Sequence, residues 1–291
     1  NAWLRAMPWV FVLIWSTGFI VARYGMPHAP PMKFLAVRYA LSILCFLPWI
    51  VLAGVKWPSD RRQALHLAVT GVLMHAGYLG GVWAAVKAGM GSGLSSLIVG
   101  IQPVLTAIWL TSVGGQHVSR RQWLGLLLGF AGLVLVVSRK FGAGGPGDSA
   151  NWHNLSFAVM ALFAITVGTL YQKRFVQACD VRTANAVQLL AALLVTLPLA
   201  FPFQASAFDL SLLFGLGLVQ LAIPCVLSVI CMRVLKAPEA SLLCLLEIVF
   251  GIALAWWGAN EAPQLSVLFG GALVLGALLL NEWLGWRQNN V

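Results

Sequence analysis

The sequence predicts an all-α integral membrane protein whose ten transmembrane helices form two inverted repeats of five. Composition is the first reason, because 60% of the 291 residues are hydrophobic and only 9% are charged, against roughly a quarter charged in soluble domains. The second reason is that the apolar residues gather in ten runs of membrane-spanning length. The third is a single long polar interruption with five runs on each side. We therefore expect lipid rather than water around most of the chain.

Charged residues and Pro- or Gly-rich interruptions set the bounds of the runs. A helix needs about 20 apolar residues to cross the hydrocarbon layer, where its backbone groups must be hydrogen-bonded internally. The first run lacks a small-residue cleavage site, so we expect a permanent span there and not a signal peptide. The predicted spans are 8–23, 34–54, 64–86, 93–113, 122–138, 155–172, 183–203, 210–232, 239–258 and 265–284.

The polar interruption predicts how the chain is divided. Its Gly-rich composition predicts a flexible linker over residues 141–154, with a first five-helix repeat in 1–140 and a second in 155–291. Because five is odd, the second half would enter the membrane in the opposite sense to the first. An alignment of the halves pairs Arg38 with Gln188 and, at a slightly smaller offset, Gln102 with Glu247.

Basic residues predict the orientation of the chain. Short loops on the cytoplasmic side of a membrane carry an excess of Lys and Arg. If both termini lie inside, 12 of the 18 Lys and Arg residues fall on the cytoplasmic side and 6 on the other. We therefore expect a multi-pass protein of the bacterial inner membrane with both termini in the cytoplasm.

The same composition excludes several classes of protein. The net charge of +10 comes from basic residues that sit singly or in pairs between apolar runs, whereas nucleic-acid binding needs them on one face. The five cysteines include no Cys-x-x-Cys pair, which argues against a zinc site or a disulfide framework. No Gly-rich phosphate loop is present in the required context. We expect no cofactor, no metal and no nucleic acid.

Ionisable groups inside a span are costly, so each one is a candidate for function. His75 lies in the middle of the third span with Tyr78 one turn later, and could bind a polar substrate or a proton. The alternative is a histidine satisfied by a neighbouring helix. Glu247 in the ninth span could bind a substrate amine or relay a proton, or could pair structurally with Arg38. Its repeat equivalent, Gln102, precedes a proline that would break the fourth span.

Further polar or aromatic side chains lie at a useful depth for binding a substrate. Trp15 is deeper than the tryptophans at the span ends, which are better explained as anchors at the headgroups. Small residues crowd the fourth span around Ser96, where they also favour close helix packing. The remaining candidates are Ser16, Tyr171, Asn185 and Gln188.

The order of several motifs resembles the drug/metabolite transporter superfamily, EamA-type, and most closely the YddG-type amino acid exporters. The motifs are residues 14–19 (Ile-Trp-Ser-Thr-Gly-Phe), 87–90 (Lys-Ala-Gly-Met) leading to 102–103 (Gln-Pro), and the stretch 123–132. The resemblance implies export of amino acids, including aromatic ones, by alternating access through a cavity between the repeats. It also implies an aromatic lining of that cavity, for which Trp15, His75, Tyr78 and Tyr171 are the candidates. Family exporters usually carry Glu-Pro in the ninth span, whereas this chain has Glu247 followed by isoleucine.

We therefore expect a secondary transporter and not an enzyme, with a small metabolite and the lipid bilayer as partners. The oligomeric state is open, with a monomer among the possibilities. One alternative is an intramembrane serine hydrolase that uses Ser92, Ser95 or Ser96 with His75, although no third group is evident to orient the imidazole. The other alternative is a channel.

Overall fold

The computed structural model describes residues 2–18, 21, 30–58, 60–113, 120–141, 149–176, 179–201 and 249–258 except 255, and isolated residues between 265 and 279. Regular structure in these residues is helical, apart from one isolated bridge between Phe141 and Ala150. The helices are α1 (Ala2–Ser16), α2 (Pro31–Leu52), α3 (Arg61–Lys87), α4 (Ser92–Val99), α5 (Gln102–Ser112), α6 (Arg120–Lys140), α7 (Trp152–Phe175) and α8 (Val181–Ala200).

Five stretches of the described residues are long and apolar enough to cross a membrane. They are α2, α3, α7, α8 and the α4–α5 region Ser92–Trp109, and each overlaps a predicted span. Helices α1 and α6 overlap the predicted spans 8–23 and 122–138. A shorter apolar helix, Val249–Gly258, lies within the predicted span 239–258. Most of the last three predicted spans falls outside the described residues, so the number ten stays a prediction.

The outward face of α7 is apolar although it is exposed. Met160, Phe163 and Val167 are each about half exposed and recur at helical spacing, while the opposite face of the same helix buries Ala158, Ala161 and Ile165. A continuous exposed stripe of large apolar side chains is unfavourable in water and favourable against acyl chains. This face of α7 is therefore suited to contact with lipid.

Polar residues cap the N-terminal ends of α3, α7 and α8, where backbone N–H groups would otherwise lack partners. Asp60 accepts a hydrogen bond from the Arg62 N–H at 3.0 Å before α3, and Asp180 accepts one from the Arg182 N–H at 2.9 Å before α8. Asn151 and the third residue of α7 form a reciprocal capping box. These caps fix the residues at which α3, α7 and α8 begin.

Helices α3 and α7 run antiparallel and touch through glycines. A Cβ added at Gly81 would lie 2.8 Å from the Phe157 carbonyl oxygen and 2.9 Å from the Ala161 Cβ, and one added at Gly77 would lie 3.0 Å from the Ala164 Cβ. Later residues of α3 thus meet earlier residues of α7. Small residues allow such close approach between membrane helices, so the glycines of α3 set its distance from α7.

Helix α8 packs against both α2 and α3. The Arg182 guanidinium at the start of α8 lies 5.2 Å from the ring centroid of Trp49, near the end of α2, as expected for two antiparallel helices. At Gly71 the backbone of α3 approaches the backbone of Gln188 so closely that no side chain fits between them. The main core of the described residues lies among α2, α3, α7 and α8.

The middle of α3 is not an ordinary α-helix. Residues Val72–Leu79 form a π-helix, in which the backbone bonds link residues five apart, and α-helix resumes at Gly80. Apolar periodicity did not predict this stretch. Such π segments inside α-helices are uncommon and are frequent at functional sites.

The fourth predicted span, 93–113, is correct in extent but broken. Helix α4 ends at Val99 and α5 begins at Gln102, with a turn at Gly100 and Ile101. Pro103 lies in the first turn of α5, where its missing N–H costs no helical hydrogen bond. The interruption predicted from this proline is therefore confirmed.

Helix α7 begins slightly before the predicted span 155–172. Helix α7 starts at Trp152 and not at 155, because Asn151 and Asn154 cap it. The Asn154 side chain also donates to the carbonyl oxygen of Ser149 at 2.8 Å and to that of Ala88 at 3.5 Å. The end of the predicted linker is thus tied to the turn between α3 and α4.

Candidate functional site

His75 lies in the π segment of α3 and is held from α2. The hydroxyl of Tyr39 donates a hydrogen bond to the backbone carbonyl oxygen of His75 at 2.8 Å, and the two rings meet edge to face with centroids 6.1 Å apart. Tyr39 is fully buried, with 0% of its surface exposed. Helix α2 therefore fixes the backbone of the residue that carries the imidazole.

Gln188 of α8 reaches the same place from the other side. Its side chain lies beside the imidazole of His75, in position to hydrogen-bond with it. The close approach of Gly71 to the Gln188 backbone brings α8 near enough for this contact. The His75 Nδ1 atom is buried and has no hydrogen-bond partner among the described residues. A polar atom left in that state needs an explanation such as a ligand or a water.

Arg38 brings a positive charge to this cluster. The side chain is 2% exposed, and its guanidinium lies 5.5 Å from the ring centroid of Trp83, within the range of a cation–π interaction. Trp83 in turn packs on Phe34, with ring centroids 4.5 Å apart. The prediction that Arg38 lies inside a span is confirmed. We call Arg38, Tyr39, His75 and Gln188 the His75 cluster.

The structure brings His75 and Gln188 together, and it shows the surroundings of three further candidates. Tyr78 is buried in the apolar core of the bundle. Trp15 is half-buried in α1, where it contacts Phe11 with ring centroids 5.8 Å apart. Ser16 is buried, and its hydroxyl has no partner in the part of the chain that the structure describes.

Two candidates of the fourth span are engaged elsewhere. The Gln102 amide donates to the hydroxyl of Thr169 at 3.0 Å, which links α5 to α7. The Ser96 hydroxyl donates to the carbonyl of Gly93 within its own helix at 2.8 Å. A hydrolytic serine instead needs its hydroxyl on a base, and this contact of Ser96 does not supply one.

Tyr171 belongs to a second cluster, at the end of the bundle. Its hydroxyl lies 2.8 Å from the Nδ1 atom of His66, and Phe175 packs on both rings, with centroids 5.3 Å from His66 and 4.7 Å from Tyr171. The last turns of α7 meet the first turns of α3 because the two helices are antiparallel. Nine residues of helix, or about 13 Å, separate His66 from His75. The structure therefore places Tyr171 away from the His75 cluster.

Asn185 and Glu247 are the two remaining candidates. Asn185 is partly exposed on α8, three residues before Gln188. Glu247 lies outside the described residues. Within the described ranges, no group of three or more His, Cys, Asp or Glu side chains could hold a metal ion.

The turn between α7 and α8 carries a half-buried thiol. Burial raises the pKa of Cys179, the neighbouring Asp180 raises it further, and a hydrogen bond with the Gln63 side chain acts in the opposite direction. Gln63 belongs to the first turn of α3, so this turn closes the same end of the bundle as the His66 contacts. A buried thiol with a raised pKa is less reactive than a free one.

Sequence reasoning missed Tyr39 and assigned Arg38 only a structural part. One signal could have found both: two adjacent polar side chains in the middle of a predicted span, one of them permanently charged. The depth of Arg38 along its helix was predicted. Its neighbours were not, because they depend on how the helices pack.

Comparison with known sequences identifies the family. The sequence profile of the EamA-like transporter family matches residues 6–138 and, a second time, residues 153–283. The chain belongs to the EamA-like transporter family. The predicted resemblance to EamA-type members of the drug/metabolite transporter superfamily is therefore confirmed.

Curated members of the EamA-like family share limited identity with this chain. The uncharacterized inner membrane transporter YedA of Escherichia coli is 26% identical over 62% of this chain and 56% of its own length. A probable amino-acid metabolite efflux pump of Salmonella typhimurium is 23% identical over 64% of this chain and 59% of its own. This chain thus spans less than two thirds of these two relatives. An S-adenosylmethionine uptake transporter of Rickettsia prowazekii is 19% identical over 96% of this chain and 92% of its own.

One solved crystal structure of a protein shares the overall fold. It superimposes with a TM-score of 0.66 over 99% of both chains at 18% sequence identity. At this identity the likeness shows the fold alone. The family profile and the long apolar helices together describe a multi-pass membrane protein of the EamA-like family.

Proposed function

We propose that this EamA-like protein is a secondary transporter that exports small metabolites, namely amino acids including aromatic ones. The substrate would cross by alternating access through a central cavity between two inverted repeats of five helices. The observation that carries the proposal is the His75 cluster. It places an imidazole with an unsatisfied Nδ1 atom, an amide and a guanidinium at the middle of helices that are long enough to cross a membrane.

The polarity of the cluster supports a substrate site. Polar and ionisable groups in hydrocarbon cost at least about 2.5 kcal/mol each at a helix centre, so a bundle made only for stability would replace them by apolar side chains. In transporters such groups lie near the midplane, where they meet the substrate or the coupling ion. The His75 cluster lies within helices of membrane-spanning length and combines polar and charged groups, which supports the proposal.

Two findings support the inverted repeats. The same family profile matches each half of the chain once. Helix α2 also runs antiparallel to α8, as the contact between Trp49 and Arg182 indicates, and these helices are the second spans of the two proposed halves. An inverted repeat requires equivalent spans to cross in opposite senses.

The charge at one end of the bundle supports cytoplasmic termini. The contacts between His66 and Tyr171 put the start of α3 beside the end of α7 and the start of α8. That end collects basic residues, as cytoplasmic ends do: Arg61, Arg62, Lys173, Arg174 and Arg182. We propose an inner-membrane location with both termini in the cytoplasm.

The proposed substrate-binding residues differ in their structural support. His75 and Gln188 form the centre of the site, since they lie side by side. The others would line the cavity or its entrances in one state of the transport cycle: Trp15, Ser16, Tyr78, Ser96, Gln102, Tyr171, Asn185 and Glu247.

The names of two relatives suggest the substrate class. One is described as a probable amino-acid metabolite efflux pump, and another as an S-adenosylmethionine uptake transporter. Both names refer to small metabolites, but one names efflux and the other uptake. Export is therefore the part of the proposal that most needs a direct test.

The test is flux in proteoliposomes that contain the purified protein and an internal pool of amino acids. We expect saturable efflux of labelled phenylalanine, competition by other amino acids, and a raised KM with measurable residual efflux in His75→Asn. A pH gradient applied in either direction reports proton coupling. Absence of saturable flux for every amino acid would remove the substrate proposal, and steady ionic current at constant conductance would indicate a channel instead.

A further inference from the structure

Tyr39 contacts His75 in an unusual way. Its hydroxyl does not bond to the imidazole but to the main-chain carbonyl oxygen of the same residue, at 2.8 Å. The donor comes from α2 and the acceptor from the π segment of α3, so the bond crosses between two helices.

Because His75 lies in the π segment, this bond affects the direction in which the imidazole points. A π-helix is rare and is normally a local departure from α-helical geometry, so the direction in which its side chains point depends on what holds the wider turn. If α3 relaxed to α-helix between Val72 and Leu79, the side chains there would rotate about the helix axis. A bond to the carbonyl of His75 opposes that rotation at the residue where it matters.

The surroundings of Tyr39 argue for a role beyond filling space. The side chain is fully buried in the main core, where a phenylalanine of the same shape would serve packing equally well. The hydroxyl adds a polar group that has to be satisfied, and it is satisfied only because the His75 carbonyl is in place. Its neighbour Arg38 shares the same turn of α2 and lies in the same cluster.

We propose that Tyr39 is a positioning residue that sets the orientation of His75 for substrate. The inference rests on the proposed function, in which His75 contacts the transported molecule. Tyr39 itself does not contact the substrate. It holds the π segment so that the imidazole, with its unsatisfied Nδ1 atom, faces the substrate path beside Gln188.

The first arm of the test needs no substrate. Histidine side chains labelled with ¹⁵N are observed by NMR in detergent micelles, and the resonances absent from His75→Asn are those of His75. In Tyr39→Phe we expect the His75 resonances to shift or broaden while those of the other four histidines stay in place. Thr196→Val serves as the matched control, since it also removes a buried hydroxyl that donates to a main-chain carbonyl, at 2.9 Å within α8.

The second arm measures phenylalanine efflux. Loss of one neutral hydrogen bond corresponds to a change of about three- to tenfold, so we expect Tyr39→Phe to raise KM by that factor with Vmax within about twofold of wild type. In a His75→Asn background the same substitution should change KM by less than about twofold. A general loss of stability would lower the amount of active protein and reduce Vmax instead, and would not depend on His75.

The outcomes separate the two proposals. Unchanged His75 resonances in Tyr39→Phe overturn the positioning inference whatever the protein transports. A His75→Asn variant with altered KM beside a Tyr39→Phe variant with wild-type KM overturns it as well, and leaves the proposed function standing. If His75→Asn has wild-type efflux, the proposed site fails, and the NMR arm still decides whether Tyr39 positions His75.

Discussion

His75 shows how one side chain is fitted into a low-dielectric interior. A buried polar atom without a partner costs about 1–3 kcal/mol, yet the Nδ1 atom of His75 has no partner among the described residues. Gln188 lies beside the same ring and Arg38 is nearby. The ring therefore has polar neighbours, although its Nδ1 atom is not bonded to them. This unsatisfied atom is the basis of the proposal that His75 binds the substrate.

Gln188 gives a test of this view at the level of one residue. We expect Gln188→Leu to raise the KM for the transported amino acid by about three- to tenfold, because the amide beside His75 is replaced by an apolar group of similar size. Initial efflux rates in proteoliposomes provide the measurement. Thr196→Val, on the same helix but with its hydroxyl bonded within α8, should retain the wild-type KM. A wild-type KM in Gln188→Leu would place the substrate elsewhere.

Cys179 gives a second residue-level prediction, outside the membrane spans. Because burial raises the pKa of its thiol, less thiolate is present at a given pH than in a free thiol, and only the thiolate reacts. In a variant whose other four cysteines are serine, maleimide labelling of Cys179 should therefore rise at higher pH in the folded protein than in the same protein denatured in SDS. Coincident pH profiles would contradict the burial of this turn.

Among the described helices, α3 makes the most extensive contacts between the two halves of the chain. Glycines bring it against α7 at Gly77 and Gly81 and against α8 at Gly71. The polar cluster and the π segment lie on the same helix, so the close packing also determines how far Gln188 is from His75. We therefore expect substitutions of these glycines to alter the His75 cluster as well as the packing of α3.

Gly81→Ala tests the packing of α3 on α7. The added methyl would meet the Phe157 carbonyl oxygen at 2.8 Å, and backbone atoms cannot move aside as a side chain can. Overpacking of this kind costs about 1–3 kcal/mol, which we expect as a lower melting temperature in detergent. Gly276→Ala is the control, because a Cβ there would meet no atom of the described residues within 4 Å. Equal melting temperatures for both variants would contradict the close contact.

The extent of the helices could be predicted from sequence, but several local features could not. The run that became α2 was bounded by its charges, and the break before Pro103 followed from the missing N–H of proline. The π segment at His75 was not predictable, because hydropathy cannot distinguish a π turn from an α turn. The pairing of Tyr171 with His66 depends on which helices become neighbours, and no spacing within one helix contains that information.

At the scale of the whole molecule, the side of the membrane on which each loop lies tests the proposed inverted repeat. We expect an epitope tag inserted within 142–148 to be reached from the periplasm of intact spheroplasts, and a tag inserted at 177–178 to be reached only after the inner membrane is opened. Helix α7 lies between these two insertion sites, and a helix that crosses the membrane once has its two ends on opposite sides. Detection of both tags in one compartment would contradict the proposed arrangement and with it the inverted repeat.

The contacts of α3 with α7 and α8 also constrain how the chain is made. The first half leaves the ribosome well before the second, since synthesis proceeds from the amino terminus at about 5–20 residues per second. Until Trp152–Phe175 has been inserted, the glycine-lined face of α3 has only lipid or a chaperone against it. Biogenesis therefore includes a waiting period in which the early helices are in the bilayer but not yet assembled, and the polar groups around His75 are most exposed to quality control during that interval.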